Sequence, residues 1–134
     1  MTASLYNPRL YHTQQVHYLR KNFTYADSLL TIDVGVIPAG SVVLKPISGV
    51  SVHVAFTAGT NKRLDIGPST DTGTNLWGTQ LSLASINALV PLDEAVTMKV
   101  TVDTVVQAYV DLTGATNTAG EGVIIIAYVP DNDR

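Results

Sequence analysis

The chain has 134 residues, of which 46% are hydrophobic and only 14% are charged, with a formal net charge of −3 and no cysteine. This length fits one compact domain with a hydrophobic core and argues against a second domain. The lack of cysteine excludes a disulfide framework, and the low, acidic charge suits contact with protein better than with nucleic acid.

The first 26 residues differ from the rest in charge, because they carry three basic side chains and no acid, whereas residues 27–134 hold five basic and eleven acidic ones. Four of the six tyrosines also lie here, without a regular period. Tyr and Arg are favoured at interfaces, so we predict an extended N-terminal arm over residues 1–26. Its partner-binding residues are predicted to be Tyr6, Arg9, Tyr11, Tyr18, Arg20 and Lys21. The alternative is a polar arm that lies on its own domain, and three charges are few for single-stranded nucleic acid.

Residues 27–134 are predicted to form a single domain that begins with several strands. Apolar residues alternate with polar ones from Leu30 to Val36, which predicts a strand with one exposed face, and Ser41–Leu44 is also extended. The stretch Val50–Gly67 predicts a strand, a tight connection over Ala58–Asn61 and a second strand.

A polar loop is predicted over Gly67–Gly78, in which Trp77 is one of only two large apolar residues. Trp77 is predicted to bind a partner, as an interface anchor or a sugar-stacking platform, and the competing interpretation is a lid folded back on the core. Gln80–Leu89 is predicted to be a short helix or irregular chain, ended by Pro91.

The last third is predicted to be rich in strands. Alternation predicts a strand over Val96–Asp103 and another over Val106–Asp111, each with one wet face. The run Val123–Val129 is apolar on both faces and predicts a central strand. The fold class is therefore all-β: an antiparallel β-sandwich, jelly-roll-like or immunoglobulin-like, with the extended N-terminal arm.

No set of residues in the sequence has the spacing of a catalytic or cofactor site, so we predict no enzyme activity, no cofactor and no metal. His53 has no Ser or Cys motif beside it and is expected to be a cross-strand or interface histidine. Asp65 and Asp71 lack the spacing of a calcium loop and are expected to form turns. The glycines at positions 114, 120 and 122 lack a phosphate-loop motif and are also expected to serve turns.

The longest apolar run has seven residues, too few for a membrane helix, so we expect a soluble protein with no membrane partner. No signal-peptide core precedes Asp27, and export is not predicted.

Four segments together resemble small tailed-bacteriophage capsid decoration, or cement, proteins of the jelly-roll type. They are Ile37–Leu44, Ala55–Asn61, Leu64–Gly67 and Thr118–Tyr128. The resemblance implies a structural virion protein, made in the host cytoplasm, that binds the outer capsid surface and stabilises contacts between major capsid subunits. It implies the major capsid protein as partner, and edge strands favour a homo-oligomer, a dimer or trimer. The alternative function is a carbohydrate- or receptor-binding module of a phage particle.

Overall fold

A computed structural model describes residues 15–69, 77–94, 99–114 and 117–131. The predicted sites at Tyr6, Arg9 and Tyr11, and the predicted turn residue Asp71, lie outside the described residues. Within the described part of the chain, no helix is long and apolar enough to cross a membrane.

The described residues form nine strands, joined by turns and two short 3-10 turns. Their bounds are β1 His17–Thr24, β2 Thr31–Ile37, β3 Val42–Val43, β4 Gly49–Val54, β5 Asn61–Pro68, β6 Gly78–Ser82, β7 Leu89–Pro91, β8 Thr104–Thr113 and β9 Glu121–Val129. Sheet I has the order β1-β9-β4-β7, with the short β3 also paired to β9, and sheet II has the order β2-β8-β5-β6.

The two sheets form a sandwich whose connections define a jelly roll. Strand β1 pairs with β9, β2 with β8, β4 with β7 and β5 with β6, all antiparallel. The chain is thus one long antiparallel hairpin that is rolled up so that successive pairs alternate between the sheets. The predicted all-β sandwich of the jelly-roll kind is confirmed.

The core lies between the sheets and is supplied mainly by β8 and β9. The predicted inward residues Val106, Ala108 and Val110 are almost fully buried, and so are Ile124 and Ile126. Burying each of the valine and isoleucine side chains contributes about 1.5–3 kcal/mol. Strand β9 lies between β1 and β4, so the predicted central strand is confirmed.

The N-terminal arm prediction is wrong for His17–Thr24, because these residues form β1 and pair with β9 along their whole length. Phe23 is only 1% exposed and stacks on Phe56, with ring centroids 5.7 Å apart. The sequence pattern hid this strand because an exposed Lys21 interrupts the inward row between Leu19 and Phe23. The predicted domain boundary at residue 26 therefore lies after β1, which belongs to the sandwich.

Three other elements differ from their predictions. A register shift between Asp33 and Gly35 in β2 turns Ile37 into the core and leaves Val36 exposed. Of the two alternatives for Gln80–Leu89, irregular chain is found over residues 83–88 and the short helix is not, while Gln80–Ser82 completes β6 and Leu89 begins β7. The predicted strand over Val96–Asp103 is not found over residues 99–103, where Lys99 makes only an isolated bridge, and residues 95–98 lie outside the described chain.

The stretch Val50–Gly67 folds as two strands, β4 and β5, as predicted, but the predicted tight connection over Ala58–Asn61 is wrong, because residues 55–60 join the strands and Asn61 already belongs to β5. The connection crosses from sheet I to sheet II, so the two strands lie in different sheets. A register shift between Val52 and Val54 ends the inward row of β4, which leaves Val54 exposed although Val52 is buried.

Candidate interaction surface

The predicted arm residues that lie on β1 point to two different faces of the sheet. Tyr18 and Arg20 lie on the outer face of sheet I, and Tyr18 is 60% exposed. Lys21 has the opposite orientation, because it shares the alternation of Leu19 and Phe23, although it is exposed at the sheet edge. A flat partner surface placed against Tyr18 and Arg20 would therefore not reach Lys21.

The outer face of sheet I has an apolar centre. Along one row, Arg20 of β1 lies opposite Ile125 of β9, which lies opposite Gly49 of β4. The next row joins Asn22, Val123 and Ser51, and Leu89 of β7 follows. Val123 and Ile125 are half-buried and Leu89 is 40% exposed. Small residues along β4 leave these aliphatic side chains accessible, so this face offers a weakly charged surface for protein contact.

His53 lies at the end of this face and interacts with Glu121, with 3.1 Å between the imidazole Nε2 and the carboxylate Oε2. The two side chains are 49% and 53% exposed. The partner lies on the neighbouring strand β9, so the prediction of a cross-strand histidine is confirmed. A pair this exposed contributes little to stability.

The outer face of sheet II is polar and acidic, and we call it the acidic face. Three carboxylates and one guanidinium lie on it, together with three partly exposed apolar side chains. These residues are Asp33, Asp65, Asp111, Arg63, Val36, Val105 and Tyr109. Each carboxylate accepts a hydrogen bond from a neighbour: Asp33 from the Gln107 amide at 2.7 Å, Asp65 from the Gln80 backbone at 2.6 Å, and Asp111 from the Asn61 amide at 3.4 Å.

Val36 and Val105 form a pair on the acidic face that the sequence analysis did not single out. They lie directly opposite each other in the pairing of β2 with β8, and are 52% and 36% exposed. Tyr109 lies further along β8 on the same face and is 38% exposed. The alternation along β8 could have predicted that Val105 and Tyr109 face outward. Val36 lies beside them only because of the register shift in β2.

Trp77 is buried, with 3% exposure, and belongs to the core cluster. Its backbone N–H donates to the Ile66 carbonyl at 2.9 Å, and its carbonyl accepts from Glu94 at 3.1 Å. The indole therefore lies against the core as a lid, and the prediction of Trp77 as an exposed partner-binding residue is wrong. Among the described residues, no three His, Cys, Asp or Glu side chains are grouped so that they could hold a metal ion.

The loops at the end of the sandwich where β1 terminates are tied together. The Thr57 hydroxyl accepts the backbone N–H of Thr118 at 2.8 Å, and the Tyr25 N–H donates to the Gly120 carbonyl at 3.1 Å. Gly120 has a φ of 138°, and a Cβ there would overlap the ring of Phe56. Gly120 therefore serves the loop that precedes β9, as expected, whereas Gly122 lies within β9 and not in a turn.

No family model matches the sequence, and no curated protein matches it. Solved structures do resemble the fold. One is a chain in the cyanophage Pam1 capsid asymmetric unit, with a TM-score of 0.63, 17% identity, and coverage of 89% of this chain and 87% of that one. Another belongs to the acid-stable capsid of Helicobacter pylori bacteriophage KHP30, with a TM-score of 0.58, 18% identity, and coverage of 87% and 90%. At this identity the likeness establishes the jelly-roll fold. Nearly equal coverage in both directions means that the matched chains are about as long as this one.

Proposed function

We propose that the protein is a structural, non-catalytic component of a phage capsid, and specifically a decoration protein on the outer surface of the shell. The observation that carries the proposal is the likeness of almost the whole chain to similarly sized chains in two phage capsid structures. The fold alone would not suffice, because jelly rolls serve lectins as well as capsids.

The surface of the sandwich supports a role in protein contact. The outer face of sheet I combines the aliphatic residues Val123, Ile125 and Leu89 with exposed Tyr18 and Arg20 at its β1 edge. Interfaces favour this combination of an apolar centre with aromatic and arginine side chains. In the proposed function this face binds the major capsid protein, and it is extended by Tyr6, Arg9 and Tyr11 of residues 1–14, the segment that we call the leader.

Binding across neighbouring capsid subunits would favour the assembled shell by mass action. The protein would be made in the host cytoplasm and would end up in the virion as a dimer or trimer. The alternative of a carbohydrate-binding module relied on Trp77, and this side chain is buried in the core.

Co-sedimentation with emptied capsids of the phage that encodes the chain tests the proposal. We expect the protein to pellet with the shells and to raise the temperature at which they disassemble. Replacing Tyr18 with Ala and Arg20 with Gln together should weaken binding at least tenfold, while the matched control Lys21→Gln, on the same strand but facing the other way, should not. Absence from purified particles together with no capsid binding would refute the proposed function.

A further inference from the structure

The acidic face presents apolar side chains to solvent beside a negative charge. Val36, Val105 and Tyr109 are each more than a third exposed. Three carboxylates accompany them against one guanidinium, that of Arg63. Scattered exposed apolar residues are ordinary, but a directly opposed pair within an acidic sheet face fits a ligand that is both apolar and cationic.

The chain enters the sandwich next to this face. Strand β1 starts at His17, at the end of the sandwich where β2 terminates at Ile37. The two strands are neighbouring edges of the opposed sheets, since the Leu19 side chain packs over Gly35. Residues that precede His17 therefore start beside the β2 edge, close to the pair Val36 and Val105.

Residues 1–14 are long enough to cover the face. Fourteen residues span up to about 46 Å when extended, whereas the ten residues of β8 span roughly 34 Å. The separation between packed sheets is only about 10 Å. A leader that turns round the β2 edge can thus run along the full length of the outer surface of sheet II.

The composition of residues 1–14 complements the acidic face. This segment contains Arg9 and His12 and has no acidic side chain. It also contains the apolar and aromatic residues Leu5, Tyr6, Leu10 and Tyr11. Arg forms strong charge-assisted hydrogen bonds with carboxylates, and tyrosine rings pack well on aliphatic and aromatic side chains.

We propose that, in the free protein, residues 1–14 bind the acidic face of their own chain. The leucines and tyrosines cover Val36, Val105 and Tyr109, and Arg9 lies beside the carboxylates. This interaction goes beyond the proposed function, because it concerns the chain before it meets any partner. Attachment through the leader then requires its release from the acidic face.

Cysteine crosslinking tests the proposal directly, because the full-length chain has no cysteine of its own. One double variant combines Leu10→Cys with Val36→Cys on the acidic face. The matched control combines Leu10→Cys with Tyr18→Cys, an exposed position on the outer face of sheet I that, like Val36, lies close to the point where the chain enters the sandwich. Both target positions are expected to tolerate the substitution because they are exposed, and unchanged thermal melting of the reduced proteins checks this.

We expect the same-chain disulfide to form at least about tenfold faster at Val36 than at Tyr18, because binding raises the effective concentration above that of a free tether. Adding Arg9→Gln, or working at high salt, should reduce this advantage several-fold, because exposed charges are screened. Equal rates at the two positions would overturn the proposal. A disulfide between two copies at Val36, seen as a doubled mass on a non-reducing gel, would overturn it as well. Capsid co-sedimentation is measured separately, so failure here leaves the proposed function standing.

Discussion

Truncating Phe23 to Ala should destabilise the protein strongly, although the residue lies within the segment that the sequence assigned to an arm. The side chain is 1% exposed and stacks on Phe56 with an interplanar angle of 13°. Phe→Ala changes in cores cost about 3–5 kcal/mol, part of which here is the aromatic pair itself. For a domain of this size that corresponds to a fall in melting temperature of roughly 10 °C or more.

Urea unfolding followed by circular dichroism measures the change in the free energy of unfolding. The matched control is Tyr18→Ala on the same strand, where the side chain is 60% exposed and the expected cost is within about 1 kcal/mol. Equal costs for Phe23→Ala and Tyr18→Ala would refute the assignment of β1 to the sandwich. Deleting residues 1–14 should lower the unfolding free energy by only about 1–2 kcal/mol, because it removes no more than their binding to the acidic face, whereas deleting residues 1–24 should unfold the domain.

Further predictions concern the core, the loops, the surface and assembly. Ile126→Ala should cost about 2–5 kcal/mol, and Ile125→Ala distinctly less, because Ile125 is only half-buried on the outer face of sheet I; equal shifts in urea midpoint would contradict this. Gly120→Ala should destabilise by at least about 1–3 kcal/mol in the same assay, because φ is 138° there. A double-mutant cycle on His53 and Glu121 should give a coupling below about 1 kcal/mol. Sedimentation at high micromolar concentration should show a dimer or trimer, and a monomeric mass would count against the edge-strand reasoning.

The sequence by itself determined the strands whose two faces differ clearly in polarity. In β8 every second residue from Val106 is apolar, and in β9 the run from Val123 is apolar on both faces, so periodicity alone specified the position of each strand. The number of short strands, the turn residues between them and the lack of a clear amphipathic helix then indicated a sandwich. These features are local, and the alternation of side chains along an extended backbone is sufficient to read them.

Only the tertiary structure decided which edges and loops belong to the core. Strand β1 has too few inward apolar residues to be recognised, and it is held by its backbone pairing with β9 and by the packing of Phe23. The outward position of Val36 depends on a register shift against β8. One extra residue in a strand moves every following side chain to the opposite face of the sheet.

The same distinction between what the sequence and the tertiary structure determine applies to the candidate surfaces. The sequence singled out Tyr18 and Arg20 by residue type, and both lie on the outer face of sheet I, but Lys21 points away from them. The sequence did not decide whether the Trp77 side chain is exposed or buried. Its backbone hydrogen bond to Ile66 places it in the core. Composition identifies side chains that can bind a partner, whereas their exposure depends on strand pairing between residues far apart in the chain, which no local pattern records.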